Sequence, residues 1–496
     1  MTDNVRVRFA PSPTGMLHIG GLRTALYNFL YARHHKGTFI LRIEDTDQNR
    51  YVEGAEEDII NALKWAGMDY DEGPGKEGDV GPYRQSERSE LYLKYARQLI
   101  DAEYAYYAFD TTEEINDMRT RLEKSGNPSP KYDAITRMSM KNSLTLPKEE
   151  VERRLESNEE FVVRLKVPRR ETIRFEDEIR GFVSFESHGL DDQVLLKSDG
   201  LPTYHLANVV DDHEMGVTHV IRGEEWLSSA PKHILLYKYL GWEPPKMAHL
   251  PLIMSPTGGK LSKRNADKLG IPVNVHDYIE QQYEPDALVN FLAYLGWSPG
   301  DDREVLTIDE LVEAFSLDRV SKSGAVFNPK KLLWYNEQYL KNKSESELLP
   351  RVRSHATVEG YTGYSDEFMK EVIRLMKDRA QKISDFIDEG SYFFDAPQTF
   401  DEKSVKKAWK TDTGSLVQEY RDRLSKLGTH DWNGPRLKEV MAALLEEKEL
   451  GFGKLAFPTR LAVSGVGYGP ELFDMMELLG QEEVLARLDF AVSRLG

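Results

Sequence analysis

Two short stretches of this chain carry residue types suited to handling a polyphosphate. The first, "FAPSPTGMLHIGG" at residues 9–21, sets two prolines, three glycines and His18 between apolar runs. Pro11 and Pro13 fix φ, and Gly15 permits a backbone path closed to residues with a side chain. His18, Gly20 and Gly21 fall where the next helix should begin, and a helix N-terminus attracts anions with unpaired N–H groups and a positive dipole end. His18 can donate a hydrogen bond to a phosphate oxygen. The second stretch, "GGKLSKR" at 258–264, presents Lys260, Lys263 and Arg264 on a loop opened by glycine. Two ammonium groups three residues apart can neutralise a polyphosphate, above all the charge that develops as pyrophosphate departs. This is not a Walker loop: Met254 stands where its first glycine is required, and Leu261 where Ser or Thr must follow the lysine. Each stretch also fits a plainer use. A strand-to-helix corner wants proline and glycine, and a short basic run commonly sits in water.

A third group, Asp211, Asp212 and His213 in "VVDDHEMG", has metal-ligand types. Neighbouring side chains on a strand face opposite ways, so the three converge only from a loop. A structural or solvated role is the reading adopted.

These residues need elements to hold them. "VRVRFA" alternates Val5, Val7 and Phe9 with arginines, as a strand does. Beyond the turn, Leu22, Ala25, Leu26, Phe29 and Leu30 recur on one helical face, ending at His34 and His35, which are expected to cap its negative end. Phe39 to Ile43 predicts a second strand, completing a βαβ unit of a nucleotide-binding sheet. Residues 105–190 change character and read as an insertion. Residues 200–226 read as strand and loop, with a helical stretch at "PKHILLYKYLGW". Beyond about residue 330 the spacing turns helical. Ile373, Met376, Ala380, Ile383 and Ile387 predict one continuous helix, within a bundle or superhelical array.

The whole chain sets limits. With 496 residues it exceeds one compact core. It is 40% hydrophobic and 30% charged, which reads as soluble and globular. Its longest apolar runs are too short for a membrane span, and "MTDNVRVRF" lacks the apolar core of a signal peptide. Cysteine is absent, so no disulfide framework or thiolate zinc site is expected, and the cytoplasm is the expected compartment. The net charge of −18 argues against indiscriminate nucleic-acid binding but not against one specific RNA met by local basic patches. Acidity is uneven: from Lys331 onward, 24 basic residues nearly balance 28 acidic ones.

His18-Ile19-Gly20-Gly21 and Lys260-Leu261-Ser262-Lys263-Arg264 resemble the "HIGH" and "KMSKS" signatures of class I aminoacyl-tRNA synthetases. With "LRIEDTD", "GPYRQSER" and "LLKSDGLPTYHLANVVDDHEMGVTHVIRGEEW" in order, the first 340 residues or so resemble bacterial-type glutamyl-tRNA synthetases, and the helical last third fits more loosely. Gly21 replaces the second histidine and Arg264 the final serine, as is usual in that branch. The Cys-rich zinc knuckle of some relatives is absent.

The resemblance implies an α/β fold: a Rossmann-like parallel-sheet catalytic domain with an α+β insertion, then an all-α anticodon-binding region. The boundaries expected are 1–104 and 195–255 for the two catalytic halves, 105–194 for the inserted acceptor-binding domain, 256–330 for a stem-contact domain carrying the basic loop, and 331–496 for the anticodon-binding domain. It implies ATP-dependent attachment of L-glutamate to tRNA(Glu) through a glutamyl-adenylate. ATP and Mg²⁺ are required and no zinc; the chain is expected to be a monomer with no membrane partner. Catalysis falls to His18, Lys260 and Lys263. ATP is met by Thr14, His18, Gly20, Gly21, Glu225, Trp226, Lys260, Lys263 and Arg264. Glutamate is met by Arg8, Ala10, Ser12, Glu44, Tyr204, Asn208 and Arg222, with Arg8 and Arg222 on the side-chain carboxylate and Glu44 and Ser12 on the ammonium. Arg379 aligns with a position that reads the anticodon's third base. The alternatives are an enzyme that also charges tRNA(Gln), a glutaminyl-tRNA synthetase, an enzyme that glutamylates a modified base, and a non-catalytic tRNA-binding protein on the same scaffold.

Overall fold

The computed structural model describes residues 4–496. Strand β1 (Arg6–Phe9) pairs in parallel with β2 (Thr38–Leu41), Arg6 opposite Thr38 and Phe9 opposite Leu41, with helix α1 (Ile19–His34) as the crossover. Leu22, Ala25, Leu26 and Leu30 are fully buried along α1, the face their spacing predicts. β2 stops two residues short of the expected Ile43. Arg42 turns inward there to bond Asp212.

Residues 105–196 hold an antiparallel sheet of β3 (Ala105–Ala108), β4 (Val162–Leu165) and β7 (Val194–Leu196). Between β4 and β7, β5 (Thr172–Asp177) and β6 (Gly181–Glu186) form a hairpin whose Asp177 pairs with the catalytic sheet at Met247. Helix α2 (Ala55–Trp65) follows the first βαβ unit and α3 (Ser89–Asp101) leads into β3; α4 (Thr112–Lys124) and α5 (Lys148–Glu156) lie within the insertion.

The parallel sheet continues with β8 (His219–Gly223) and β9 (Lys246–Leu250), β9 bridging β8 and β5. β8 lies against β1, since Thr218 N donates to Arg6 O and Arg6 N to the Thr218 hydroxyl, both at 2.9 Å. Helix α6 spans Tyr204–Glu214, and α7 spans Ala230–Leu240. The strand-and-loop reading of 200–226 is corrected here: "YHLANVVDDHE" is helical. Its adjacent aspartates therefore diverge by about 100° rather than 180°, and both can point into the protein.

The described chain divides into two compact units. One runs to Glu280 and takes in Leu288–Pro329; the other holds Gln281–Ala287 and Lys330–Gly496. The second is helical around a core that includes Val352, Val372, Phe386, Val417, Leu444 and Leu488. Its expected continuous helix over 371–387 is broken. One helix ends at Met376 and a short one resumes at Asp385, whose carboxylate accepts from the Gln381 and Lys382 amides at 2.7 and 2.8 Å. Those bonds give the turn's amides a partner outside a helix. Ile373, Met376, Ala380, Ile383 and Ile387 are still all buried.

Candidate active site

The C-terminal ends of β1 and β8 and the N-terminus of α1 open onto a cleft of about 640 Å³. Open α/β sheets bind ligands at such carboxyl ends. Arg8, Ala10, Ser12, Thr14, His18, Gly20, Gly21, Glu44, Tyr204, Asn208, Arg222, Glu225 and Trp226 line it. Lys260, Lys263 and Arg264 do not.

At one end His18 is the N-cap of α1. Its Nδ1 accepts from Gly20 N at 3.0 Å, so the ring proton sits on Nε2, free to donate. Burial, then the charge of Lys260, holds this imidazole's pKa below its ordinary value, so it is neutral at pH 7. The helix start is less open than expected. Ile19 N donates to Val273 O, and Leu22 N to His18 O. With Gly20 N taken by the imidazole, Gly21 N is the first-turn amide outside these bonds. Gly21 itself answers to packing, since a Cβ there would lie 2.9 Å from Leu17 Cδ1. Gly15, at φ +152°, takes a backbone conformation that disfavours side chains.

The basic loop is a tight return. Leu261 N donates to Ile253 O, and Ser255 N donates to Gly259 O. Lys260 Nζ lies 3.6 Å from Glu225 Oε1, which ties the loop to the cleft wall. Lys263 and Arg264 are exposed at the start of α8 (Lys263–Asp267). Beyond α8 the chain returns to pair with the first signature: Val275 N donates to Leu17 O at 2.9 Å, mirroring the bond from Ile19 N.

Beneath the other end lies a buried charge network that the sequence did not disclose. Asp212 accepts from Arg8 Nε and Nη2 at 2.9 and 3.1 Å and from Arg42 Nη1 at 2.7 Å. Burial raises its pKa, but Arg8 and Arg42 together outweigh that and hold its carboxyl below the usual value. Asp211 accepts from Arg88, Gln85 and Tyr92, and Arg42 Nη2 also donates to Glu44 at 3.0 Å. Burial raises the Glu44 pKa despite Arg42 and Arg8. Asn208, oriented with its amide oxygen toward the guanidiniums, accepts from Arg42 and Arg8 at 3.2 Å and donates to Asp212 at 3.3 Å. The aspartates of "DDH" are thus committed to arginines, while His213 stacks on Trp242 with ring centroids 3.7 Å apart. His34 closes α1 and His35 is its C-cap residue, as expected, and the His34 ring also bonds the Val312 carbonyl at 2.8 Å through Nδ1.

Arg222 is held differently. Its Nε donates to His249 Nε2 at 3.1 Å, and its Nη1 donates to the Tyr204 hydroxyl at 2.9 Å and to His233 Nδ1 at 3.3 Å. Tyr204 in turn lies against Trp226, ring centroids 4.4 Å apart. Arg379, in the other unit, is exposed in the turn after Met376.

Other lining residues escaped the sequence reading, among them Thr24, Thr46, Gln85 and Lys197. Thr24 shares the α1 face that begins with Gly20 and Gly21, so helical spacing offered a signal. Lys197 offered none.

Comparison with known proteins agrees with this geometry. Residues 4–334 match the catalytic domain of class I tRNA synthetases (E and Q), and residues 347–492 match an anticodon binding domain. The chain is 48% identical to the glutamate–tRNA ligase of Cytophaga hutchinsonii, over 98% of this chain and 97% of that one. It is 49% identical to that of Amoebophilus asiaticus, covering 99% and 98%. A crystal structure of a glutamate tRNA ligase from Elizabethkingia meningosepticum in complex with its amino acid superposes with a TM-score of 0.95 at 46% identity, covering 99% of this chain and all of that one.

Proposed function

The chain belongs to the glutamate–tRNA ligase family of class I tRNA synthetases, and from that premise we propose how its residues divide the work. The enzyme attaches glutamate to tRNA at the expense of ATP. The α-carboxylate of glutamate attacks the α-phosphorus of ATP, pyrophosphate leaves, and the glutamyl group passes to a terminal ribose hydroxyl of tRNA(Glu). No protein nucleophile is needed; positioning and charge stabilisation supply the rate.

In this reading ATP lies across α1. Thr14, Gly20 and Gly21 let its phosphates approach the backbone, and His18 donates from Nε2. Glu225 and Trp226 flank the nucleotide on the opposite wall. Lys260, Lys263 and Arg264 close over the phosphates, Lys260 and Lys263 meeting the charge of the departing pyrophosphate. Glutamate lies deeper. Arg222 grips its side-chain carboxylate, assisted by Arg8, Tyr204 and Asn208. Glu44 and Ser12 accept from its ammonium, and Ala10 borders it. Mg²⁺ enters on the nucleotide, since the carboxylates near the signature turn are already engaged, Glu225 beside Lys260, Asp47 with Arg50 and Asp58 with the Leu17 amide. The inserted segment, with no cysteine, is assigned no zinc. Arg379 contacts the anticodon, and the enzyme acts as a cytoplasmic monomer. Among the described residues no helix is long and apolar enough to cross a membrane.

The observation that carries this reading is one cleft with a proton-donating imidazole at one end and a buried arginine on uncharged partners at the other. ATP–pyrophosphate exchange with glutamate, with and without tRNA, tests it. Exchange supported by glutamine instead would overturn the substrate assignment. Lys263→Ala should lower kcat by about 100- to 1,000-fold while the ATP KM stays within about threefold. A loss confined to ATP affinity would remove the transition-state role.

A further inference from the structure

Three guanidiniums beside the cleft are neutralised. Arg8 and Arg42 share Asp212, Arg42 also reaches Glu44, and Arg88 bonds Asp211. Arg222 is equally buried, at 4% exposure, yet its four hydrogen-bond partners are His249 Nε2, Tyr204 Oη, His233 Nδ1 and the Trp226 carbonyl. None carries a charge of its own.

Arginine has no acceptor atom, so its partners must supply lone pairs. That requirement fixes both rings. His249 presents Nε2 to Arg222, so its proton is on Nδ1, where it donates to Asp177 Oδ2 at 2.5 Å. Asp177, 1% exposed on β5, is itself anchored by the amides of Ile179, Arg180 and His249. His233 presents Nδ1, so its Nε2 proton points to His205 Nδ1 at 3.2 Å. Burial keeps all three imidazoles neutral: the pKa of His205 falls to about 3, and those of His233 and His249 are also lowered.

Building on the glutamate pocket proposed above, we propose that His249, oriented by Asp177, and His233, oriented by His205, are positioning residues that hold Arg222 in place without neutralising it, and so set selection of glutamate over glutamine. A carboxylate on Arg222 in their place would satisfy its charge before substrate arrived. The imidazoles satisfy its geometry and leave the charge for the substrate. A neutral amide cannot supply that charge, whereas the glutamate side chain can.

The test is aminoacylation by the full chain, with KM and kcat for glutamate, KM for ATP, and inhibition by glutamine. His249→Leu removes the lone pair and should raise the glutamate KM about tenfold or more, with kcat and the ATP KM within about threefold. His249→Gln places an amide oxygen near the former Nε2 and should bring the glutamate KM back to within about threefold of the native value. His233→Asp sets a carboxylate beside Arg222 and should raise the glutamate KM without weakening glutamine inhibition, narrowing selectivity about tenfold. The proposal is overturned if His249→Leu and His233→Asp leave the glutamate KM unchanged, if His249→Gln raises it as much as His249→Leu does, or if the variants move every constant together. Should His249→Leu fail to fold, His249→Gln and His233→Asp still decide the matter. Arg222→Gln separates the two layers. If it leaves the glutamate KM unchanged, the pocket reading itself fails; if it raises KM while His249→Leu and His233→Asp do not, only the positioning role fails.

Discussion

In the unit that holds the cleft, Arg8, Arg42 and Arg88 lie buried against Glu44, Asp211 and Asp212, and Arg222 lies buried against His249, His233 and Tyr204. In the helical unit the buried set is mostly apolar, from Leu348 and Val352 to Leu444 and Leu488, and ion pairs such as Lys341–Glu337 run along helix surfaces. That unit buries fewer ions. Arg487 donates to the carbonyls of Tyr392 and Val463, pinning one segment to another, and pairs with Glu483, while Glu284 is met by Lys343 and Arg351. Buried charge is costly unless paired, so a fold that only needs to stand avoids it. The cleft unit accepts that cost because a substrate with two carboxylates and an ammonium must find both signs already in place. Here the same network supports the fold and aims the site; in the helical unit the core does only the first.

The sharpest way to break this comparison is Asp212→Ala. It leaves Arg8 and Arg42 without their shared acceptor and should cost about 3–5 kcal/mol in urea unfolding while raising the glutamate KM. A loss below about 1 kcal/mol would mean that the network does not stabilise the unit. Leu444→Ala, fully buried in the helical core, should cost about 2–4 kcal/mol, with glutamate KM unaffected. A shifted glutamate KM would blur the contrast.

Acidity discriminates at a smaller scale. The His205 pKa is held at about 3 against an ordinary 6.5. The unfolded chain therefore binds a proton that the folded one refuses, and stability is complete above about pH 6.5 and declines as pH falls toward 3. His205→Asn should flatten that decline by about 1.4 kcal/mol per pH unit, read from urea midpoints between about pH 6 and 4. An unchanged slope would place the proton-linked loss elsewhere. Least of all, Lys341→Ala should cost about 0.3–0.5 kcal/mol. A cost near that of Asp212→Ala would remove the distinction between the units.

Local patterning made β1, α1, β2 and both signature loops legible, because strand alternation, helical spacing and turn residues act over a few positions. What lay beyond reach depends on distant partners. Nothing in "LRIEDTD" states that Arg42 turns inward, since its partner stands 170 positions away. The "DDH" segment misled because adjacency on a strand separates side chains, whereas on α6 it lets two aspartates serve different arginines. The apolar stripe over 371–387 was legible as burial but not as a helix, because burial follows the stripe whether or not Asp385 interrupts the backbone ladder. Arg8 and Arg222 look alike in the sequence; what distinguishes them is the chemistry of the atoms beside them.

The two bonds that join Leu17 and Ile19 to Val275 and Val273 also govern what evolution can alter. They fix the contour length between the lysine-bearing return and the imidazole, so the stretch from Asp267 to Pro272 behaves as a gauge block. An added or deleted residue there would displace the ammonium groups by a full residue step, so among relatives indels should be purged from that stretch.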